Sequence, residues 1–140
     1  MAHTNFDRNK SIEQLKGDVW KDFDPPQNLE ERVHHYRKIP IAKLTVEELR
    51  LLIGQNEGLE YLIPVSLEIL RMNILAEGDM YKGDLLSAVL TAEEKFWYKT
   101  PTLKHAVIDL IVEKQNEIQE KNEDNKYRQL LKKMEIFKFK

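Results

Sequence analysis

The fold class is decided by residues 45–73, TVEELRLLIGQNEGLEYLIPVSLEILRMN. Thr45 and Glu48 form a capping-box pattern, in which each side chain satisfies a free backbone N–H at the start of a helix. The apolar residues that follow recur at spacings of three and four, which is one face of a helix. Gly54 stands where a left-handed residue ends that helix. Residues 59–73 are then apolar on most sides, which is typical of a helix at the centre of a core.

Pro64 leaves two arrangements open for the second of these helices. Proline lacks a backbone N–H, so it is tolerated in the first turn of a helix but kinks or breaks the interior. The helix either begins near Ile63, with Pro64 in its first turn, or is longer and kinked at Pro64. We expect the first arrangement, with a short turn before the helix.

Outside this stretch, the same signals divide the chain into short helices. The predicted caps are, in chain order, Ser11, Asn28, Thr45, Asp84, Thr91 and Thr100. Pro101 follows the last cap and begins a long helix. The face predicted to be buried in that helix carries Leu103, Val107, Leu110, Ile111 and Ile118. A polar break at residues 122–125 then precedes a last helix with Tyr127 and Met134 on its apolar face.

Alternating strand patterns are almost absent, so we predict an all-α fold. We expect a single compact domain over residues 11–140, with residues 1–10 as a flexible N-terminus. About seven or eight short helices joined by tight loops favour packing as antiparallel helical hairpins.

Composition excludes several classes of protein. The 140 residues include no cysteine, which excludes a disulfide framework, a thiolate metal site and a cysteine nucleophile. The absence of cysteine also suits a reducing compartment, and we expect a cytoplasmic protein. The first ten residues are polar and do not predict a secretory signal. No apolar run approaches the length of about 18 residues that predicts a membrane span.

Charge is unevenly distributed along the chain. The formal net charge is −2, too balanced to indicate nucleic acid as a partner. Residues 54–94, the acidic middle, hold eight acidic and two basic residues, a net charge of −6. Residues 125–140, the basic tail, hold one acidic and six basic residues, a net charge of +5.

No pattern predicts a catalytic residue, a cofactor site or a metal site. The histidines are His3, His34, His35 and His105, and their spacing does not place two on one helix face. Glu77, Asp79 and Asp84 lack the alternate spacing of a calcium-binding loop and are interpreted as turn and cap residues. The glycines are isolated, so there is no phosphate-binding loop.

The basic tail has two interpretations. Its lysines, interleaved with Tyr127, Phe137 and Phe139, could contact nucleic acid. Alternatively, it is a solvated helix face whose apolar stripe docks on the body. We favour the second interpretation, because six basic residues are a modest number for nucleic-acid binding.

The middle of the chain resembles a known family. The resemblance rests on residues 44–55 (LTVEELRLLIGQ), 58–65 (GLEYLIPV) and 75–86 (LAEGDMYKGDLL), with Phe96-Trp97 after them. Residues 11–20 (SIEQLKGDVW) fit the same pattern. Together these segments, which span residues 11–98, resemble the immunity proteins of contact-dependent growth inhibition (CDI) systems.

This resemblance implies a small cytoplasmic protein that binds the C-terminal domain of a cognate toxin and blocks it stoichiometrically. Many such toxins are nucleases, whose clefts are basic because they bind phosphate, and the acidic middle would complement such a cleft. The residues predicted to bind the partner are Glu57, Glu60, Tyr61, Glu77, Asp79 and Tyr81. Two alternatives remain: a helical adaptor for another protein, or a nucleic-acid-binding protein that uses the basic tail.

Overall fold

The computed structural model describes residues 5–140, and within this range the chain is all-α, as predicted. The helices are α1 (Ile12–Lys16), α2 (Leu29–Tyr36), α3 (Val46–Gly54), α4 (Leu59–Met72), α5 (Asp84–Leu90), α6 (Glu94–Lys99), α7 (Pro101–Glu120) and α8 (Arg128–Lys138). Two short 3-10 helices, Ile41–Lys43 and Glu123–Asn125, lie between them. None of the helices described is both long and apolar enough to cross a membrane.

The helix starts predicted from capping boxes at Ser11 and Thr45 are confirmed. The Ser11 hydroxyl accepts a hydrogen bond from the Gln14 N–H, and the Gln14 side chain accepts one from the Ser11 N–H. Thr45 and Glu48 make the same reciprocal pair. Such caps depend on residues three apart, which is why sequence alone locates them.

Helix α4 is the longer of the two alternatives, and the expected start near Ile63 is wrong. It begins at Leu59, so Pro64 lies inside it. An interior proline costs about 3 kcal/mol. The side chains of Leu59, Leu62 and Ile63 are buried, and each contributes about 1.5–3 kcal/mol. Burial of the first turns therefore outweighs the proline.

Further predictions at helix ends are also wrong. Thr100 precedes α7 as predicted, but its hydroxyl donates to the Phe96 carbonyl and does not cap the helix. Gly54 is the last residue of α3, and Asn56 instead takes the left-handed conformation, with φ of 57°. The Thr91 hydroxyl does not cap α6; it donates to the Ser87 carbonyl in the last turn of α5. Helix α6 begins only at Glu94, after Glu93, whose N–H donates to the Asn56 side chain. A long-range bond therefore replaces the predicted local cap.

The core is centred on α3 and α5. Every residue of α5 is buried, whereas α4 exposes Met72 at its end, so α5 rather than α4 is enclosed on every side. Helix α5 packs against α3, α4 and α8, and α8 also packs against α7. The apolar stripe of α8, including Leu130, Met134 and Phe137, is buried, as expected for a tail that docks on the body.

The expected flexible segment 1–10 falls partly on residues 1–4, which lie outside the described residues. Beyond them, the Phe6 ring packs edge-on against Tyr61 with centroids 5.2 Å apart. The Arg8 guanidinium donates to both carboxylate oxygens of Glu68 at 2.8 and 2.6 Å. Residues 5–10 therefore contact α4.

Candidate functional site

The loop between α4 and α5 presents an exposed segment on a backbone that is firmly held. We call residues 77–82 the clamped loop. Asp84 was expected to cap its own helix, but this is wrong. Its carboxylate instead accepts hydrogen bonds from the backbone N–H groups of Gly78 at 2.7 Å, Met80 at 3.0 Å and Tyr81 at 3.3 Å. These groups have no helix to satisfy them, and the Asp84 side chain is only 3% exposed.

A second clamp reaches the loop from α3. The Glu47 Oε1 atom accepts a hydrogen bond of 2.8 Å from the backbone N–H of Asp79. Arg50 holds Glu47 in place through Nε and Nη2 at 2.7 and 2.5 Å, and its Nε lies 3.8 Å from Asp84. The hydrogen bonds from Arg50 and from the Asp79 N–H lower the pKa of Glu47. The clamp carboxylate is therefore charged near neutral pH.

Gly78 is required by the closeness of this second clamp. A Cβ atom at Gly78 would lie 2.5 Å from Glu47 Oε1 and 3.1 Å from the Glu47 Cα. The Cα is backbone of α3 and cannot turn aside as a side chain can. A side chain at residue 78 would consequently displace the Glu47 carboxylate and move the loop a few tenths of an ångström from α3.

The clamped loop displays a mixed surface. Met80 is 64% exposed and Tyr81 is 49% exposed, and the side chains of Glu77, Asp79 and Lys82 are exposed around them. Methionine and tyrosine are enriched at protein interfaces, where each supplies a large contact area. A loop already fixed in one conformation also loses little entropy when it binds. This arrangement is suited to protein recognition.

The six predicted partner-binding residues fall into two groups. Glu77, Asp79 and Tyr81 lie together in the clamped loop beside the start of α3, where Glu47 is located. The other three, Glu57, Glu60 and Tyr61, follow the end of α3. The two groups thus lie near opposite ends of α3. This helix has nine residues and a length of roughly 14 Å.

The group beyond α3 is largely engaged in holding the fold. Glu57 accepts a hydrogen bond of 2.9 Å from Arg37 Nε and lies 3.7 Å from Lys16. Tyr61 is buried, and this burial, followed by the nearby charge of Glu60, raises the pKa of its hydroxyl. Glu60 is half-buried, and its carboxylate forms no hydrogen bond or ion pair within residues 5–140. Of this group, Glu60 is the most available to a partner.

Arg37 is the reason that Glu57 turns inward. The Arg37 side chain is fully buried, and its Nη1 donates to Glu13 and to the Asp18 carbonyl at 3.3 and 3.1 Å. Its guanidinium also lies 3.7 Å from the centroid of the Trp20 ring. This cluster fastens the segment after α1 to α2. It has a structural role.

The histidines do not form a metal site in the described part of the chain. The His34 ring lies tilted against Trp20 with centroids 4.9 Å apart, and its Nδ1 lies 2.9 Å from the Lys21 carbonyl. His35 pairs with Asp22 at 3.0 Å, which lowers the pKa of that carboxyl. Residues 5–140 hold no group of three or more His, Cys, Asp or Glu that could bind a metal ion. His3 lies outside this range.

The predicted partner-binding set omits Met80 and Lys82 of the same loop, and no pattern identifies Glu47 and Arg50 as clamps. The GDMYKG segment, with glycine at both ends, was a usable signal for an exposed turn. No comparable signal existed for Glu47, because it meets a residue 32 positions away.

Comparison with known protein families gave a match. A family model described as CDI immunity proteins matches residues 14–107, about two thirds of the chain. This range includes the clamped loop and its clamps and ends within α7. Neither the curated proteins nor the solved structures gave a match.

Proposed function

The chain belongs to the CDI immunity proteins, and we propose that it binds and neutralises the C-terminal toxin domain of its cognate contact-dependent growth inhibition toxin. Inhibition is by stoichiometric binding in the cytoplasm, with no chemical step and no cofactor. Protection then depends on how tightly and how long the complex persists, so a few well-buried contacts are decisive.

The clamped loop is the observation that carries this proposal. Asp84 and Glu47 fix its backbone through four hydrogen bonds to N–H groups. The hydrogen bonds hold the loop in a conformation that exposes Met80 and Tyr81 to solvent. Exposure of large apolar side chains is unfavourable in a loop that only connects two helices. As part of an interface, the same rigidity reduces the entropy lost on binding. We assign Met80 and Tyr81 as the anchors.

Charge supports a nuclease as the target. Glu77 and Asp79 are exposed beside the anchors, and Glu60 adds a half-buried carboxylate farther along the acidic middle. A nuclease must bind phosphate, so its active-site surface is basic, and an acidic inhibitor is steered towards it. Glu57 and Tyr61 contribute to the interface only indirectly, by holding the fold.

Calorimetric titration against the C-terminal domain of the toxin encoded beside this protein tests the proposal. We expect one-to-one binding of about nanomolar affinity, which Tyr81→Ala weakens by about 10- to 100-fold. Tyr98→Ala is the matched control, because Tyr98 is an 87% exposed tyrosine on α6, outside the clamped loop in sequence, and should leave affinity unchanged.

The experiment distinguishes failure of the proposed function from failure of the proposed interface. If the wild-type protein does not bind the toxin domain, the proposed function is wrong. If Tyr81→Ala and Tyr98→Ala both bind as tightly as the wild type, the function stands and the interface lies elsewhere.

A further inference from the structure

A groove opens between the clamped loop and the start of α8. Its volume is about 360 Å³, enough for one large side chain and its neighbours. Its walls are Tyr81 and Lys82 from the loop and Lys126, Tyr127, Leu130 and Lys133 from the C-terminal segment. Tyr81, the proposed anchor, thus also lines this groove.

The rim of the groove is basic and lacks neutralising carboxylates. Lys82, Lys126 and Lys133 line it, and no Asp or Glu does. Across the described residues, none of these three ammonium groups has a carboxylate within 4.0 Å. Lys133 donates to the Ser87 hydroxyl at 2.6 Å, and Lys126 lies over the Tyr127 ring at 5.3 Å. Three positive charges without counter-ions attract an anionic group.

The floor of the groove is apolar. Leu130 and Tyr127 are buried beneath it, and Gly83 approaches Leu130 so closely that a Cβ there would lie 2.7 Å from Leu130 Cδ2. An apolar floor under a basic rim suits a peptide segment with one apolar side chain and flanking carboxylates. A nucleic-acid strand would instead be bound along a basic track that extends over several nucleotides, whereas these three lysines surround a single groove.

We propose that this groove binds an acidic segment of the toxin domain. One apolar side chain of that segment seats against Leu130 and Tyr127, and its carboxylates pair with Lys82, Lys126 and Lys133. The inference rests on the proposed function and adds a second contact with a partner of stated chemistry. The complete surface therefore carries both signs of charge. Glu77 pairs through its backbone with Lys82 in an antiparallel bridge, so the acidic residues of the loop adjoin the basic groove.

The groove also offers a means of discriminating between toxins. The loop wall lies inside the range that the family model matches, whereas residues 126–133 lie beyond it. The α8 wall is thus a part of the surface that the family model does not describe. Specificity arises from differences in affinity between partners, and a charged wall rejects segments of the wrong sign.

The test compares two charge-reversal variants of equal net charge. Lys82→Glu with Lys126→Glu alters the groove, whereas Lys95→Glu with Lys99→Glu alters exposed lysines on α6 that make no described ion pair. Against the toxin domain, we expect the groove variant to raise Kd by at least about tenfold and to reduce the salt dependence of binding. The control should stay within about twofold of the wild type. Circular dichroism confirms that both variants are folded.

Other outcomes would overturn the inference. Equal effects of the two variants would mean that net charge alone matters, and an unchanged groove variant would exclude the groove. Salt-dependent binding of wild type to unrelated RNA or DNA, lost in the groove variant, would make this a nucleic-acid site instead. Absence of toxin binding by the wild-type protein would overturn the proposed function and this inference together.

Discussion

The Asp84 carboxylate accepts a hydrogen bond of 2.7 Å from the backbone N–H of Gly78, six residues before it in the chain. Asp84 begins α5, yet its side chain turns back to the loop instead of capping the helix. The buried helix α5 thereby fixes the exposed clamped loop. We therefore expect the conformation of the loop and the stability of the core to be coupled through this carboxylate.

Asp84→Asn should loosen the clamped loop. Asparagine has one acceptor oxygen where aspartate has two, so at least one of the three loop hydrogen bonds is lost. We expect the free energy of unfolding to fall by about 1–3 kcal/mol, and toxin affinity to fall as well. Urea denaturation measures the first effect and calorimetry the second. Asp109→Asn, at an exposed position on α7, is the control and should change neither.

Gly78→Ala should be destabilising by about 1–3 kcal/mol, because the new Cβ meets the backbone of α3. Gly54→Ala provides the contrast. Nothing lies within 4 Å of a Cβ at Gly54, and alanine is favoured in a helix by about 0.5–1 kcal/mol. Thermal unfolding of the two variants should therefore shift in opposite directions. Equal stability of both variants would contradict the close approach of the loop to α3.

Acid should weaken the clamp through Glu47. Its pKa is lowered in the folded protein from the ordinary value of 4.5. A lowered pKa stabilises the folded state above the unfolded-state value, and this stabilisation is lost as pH falls through the folded-state value. We expect Glu47→Gln to be less stable than the wild type at about pH 7 and the difference to shrink below about pH 4. Urea unfolding across this range measures it. Glu120→Gln, at an exposed position on α7, is the control and should be as stable as the wild type at about pH 7.

Arg37→Met should destabilise the fold without touching the proposed interface. It removes the central cation, but Glu13 keeps Lys38 at 2.9 Å and Glu57 keeps Lys16 at 3.7 Å. We therefore expect the free energy of unfolding to fall by about 1.5–3 kcal/mol, the usual cost of lost hydrogen bonds to charged groups. Chemical denaturation gives the size of the effect. The fraction that remains folded should bind the toxin domain with wild-type affinity. Arg71→Met, at an exposed position on α4, is the control for loss of an arginine.

Reversal of Glu77 and Asp79 to lysine should slow association with the toxin domain by about tenfold at low salt, because steering by the acidic side of the loop is lost. The dissociation rate should change less. Stopped-flow mixing at low and high salt separates these rates. The matched control reverses Asp109 and Glu120 on α7. Equal slowing in both variants would indicate a general charge effect and not a local interface.

Sequence patterns located most helices because the relevant interactions are local. Ser11 and Thr45 each meet a partner three residues ahead, and Gly17 ends α1 in the left-handed conformation, with φ of 68°. The buried positions of α7 follow from helical spacing alone. The CDI immunity resemblance also rested on contiguous segments, and the family match confirms it.

The site required long-range contacts that no local pattern contains. Thr91 has the form of a cap, yet it bonds to α5, because Asn56 binds the N–H of Glu93 from 37 residues away. Glu57 is one of the eight acidic residues of the acidic middle, but in the folded protein its carboxylate is paired with Arg37. A count of charges does not show which ones are neutralised in the folded protein.

The sequence by itself determined the helical class, the family and the approximate helix bounds, because capping and apolar spacing act within one or two turns of the chain. Tertiary structure alone decided which polar residues face solvent. Asp84 and Glu47 became clamps, Glu57 became an internal partner, and Lys82 came to lie beside Lys126. The physical reason is that an unsatisfied backbone N–H or a buried charge must find a partner in the folded protein. The partner is the group that packing brings near, and it can be distant in the sequence.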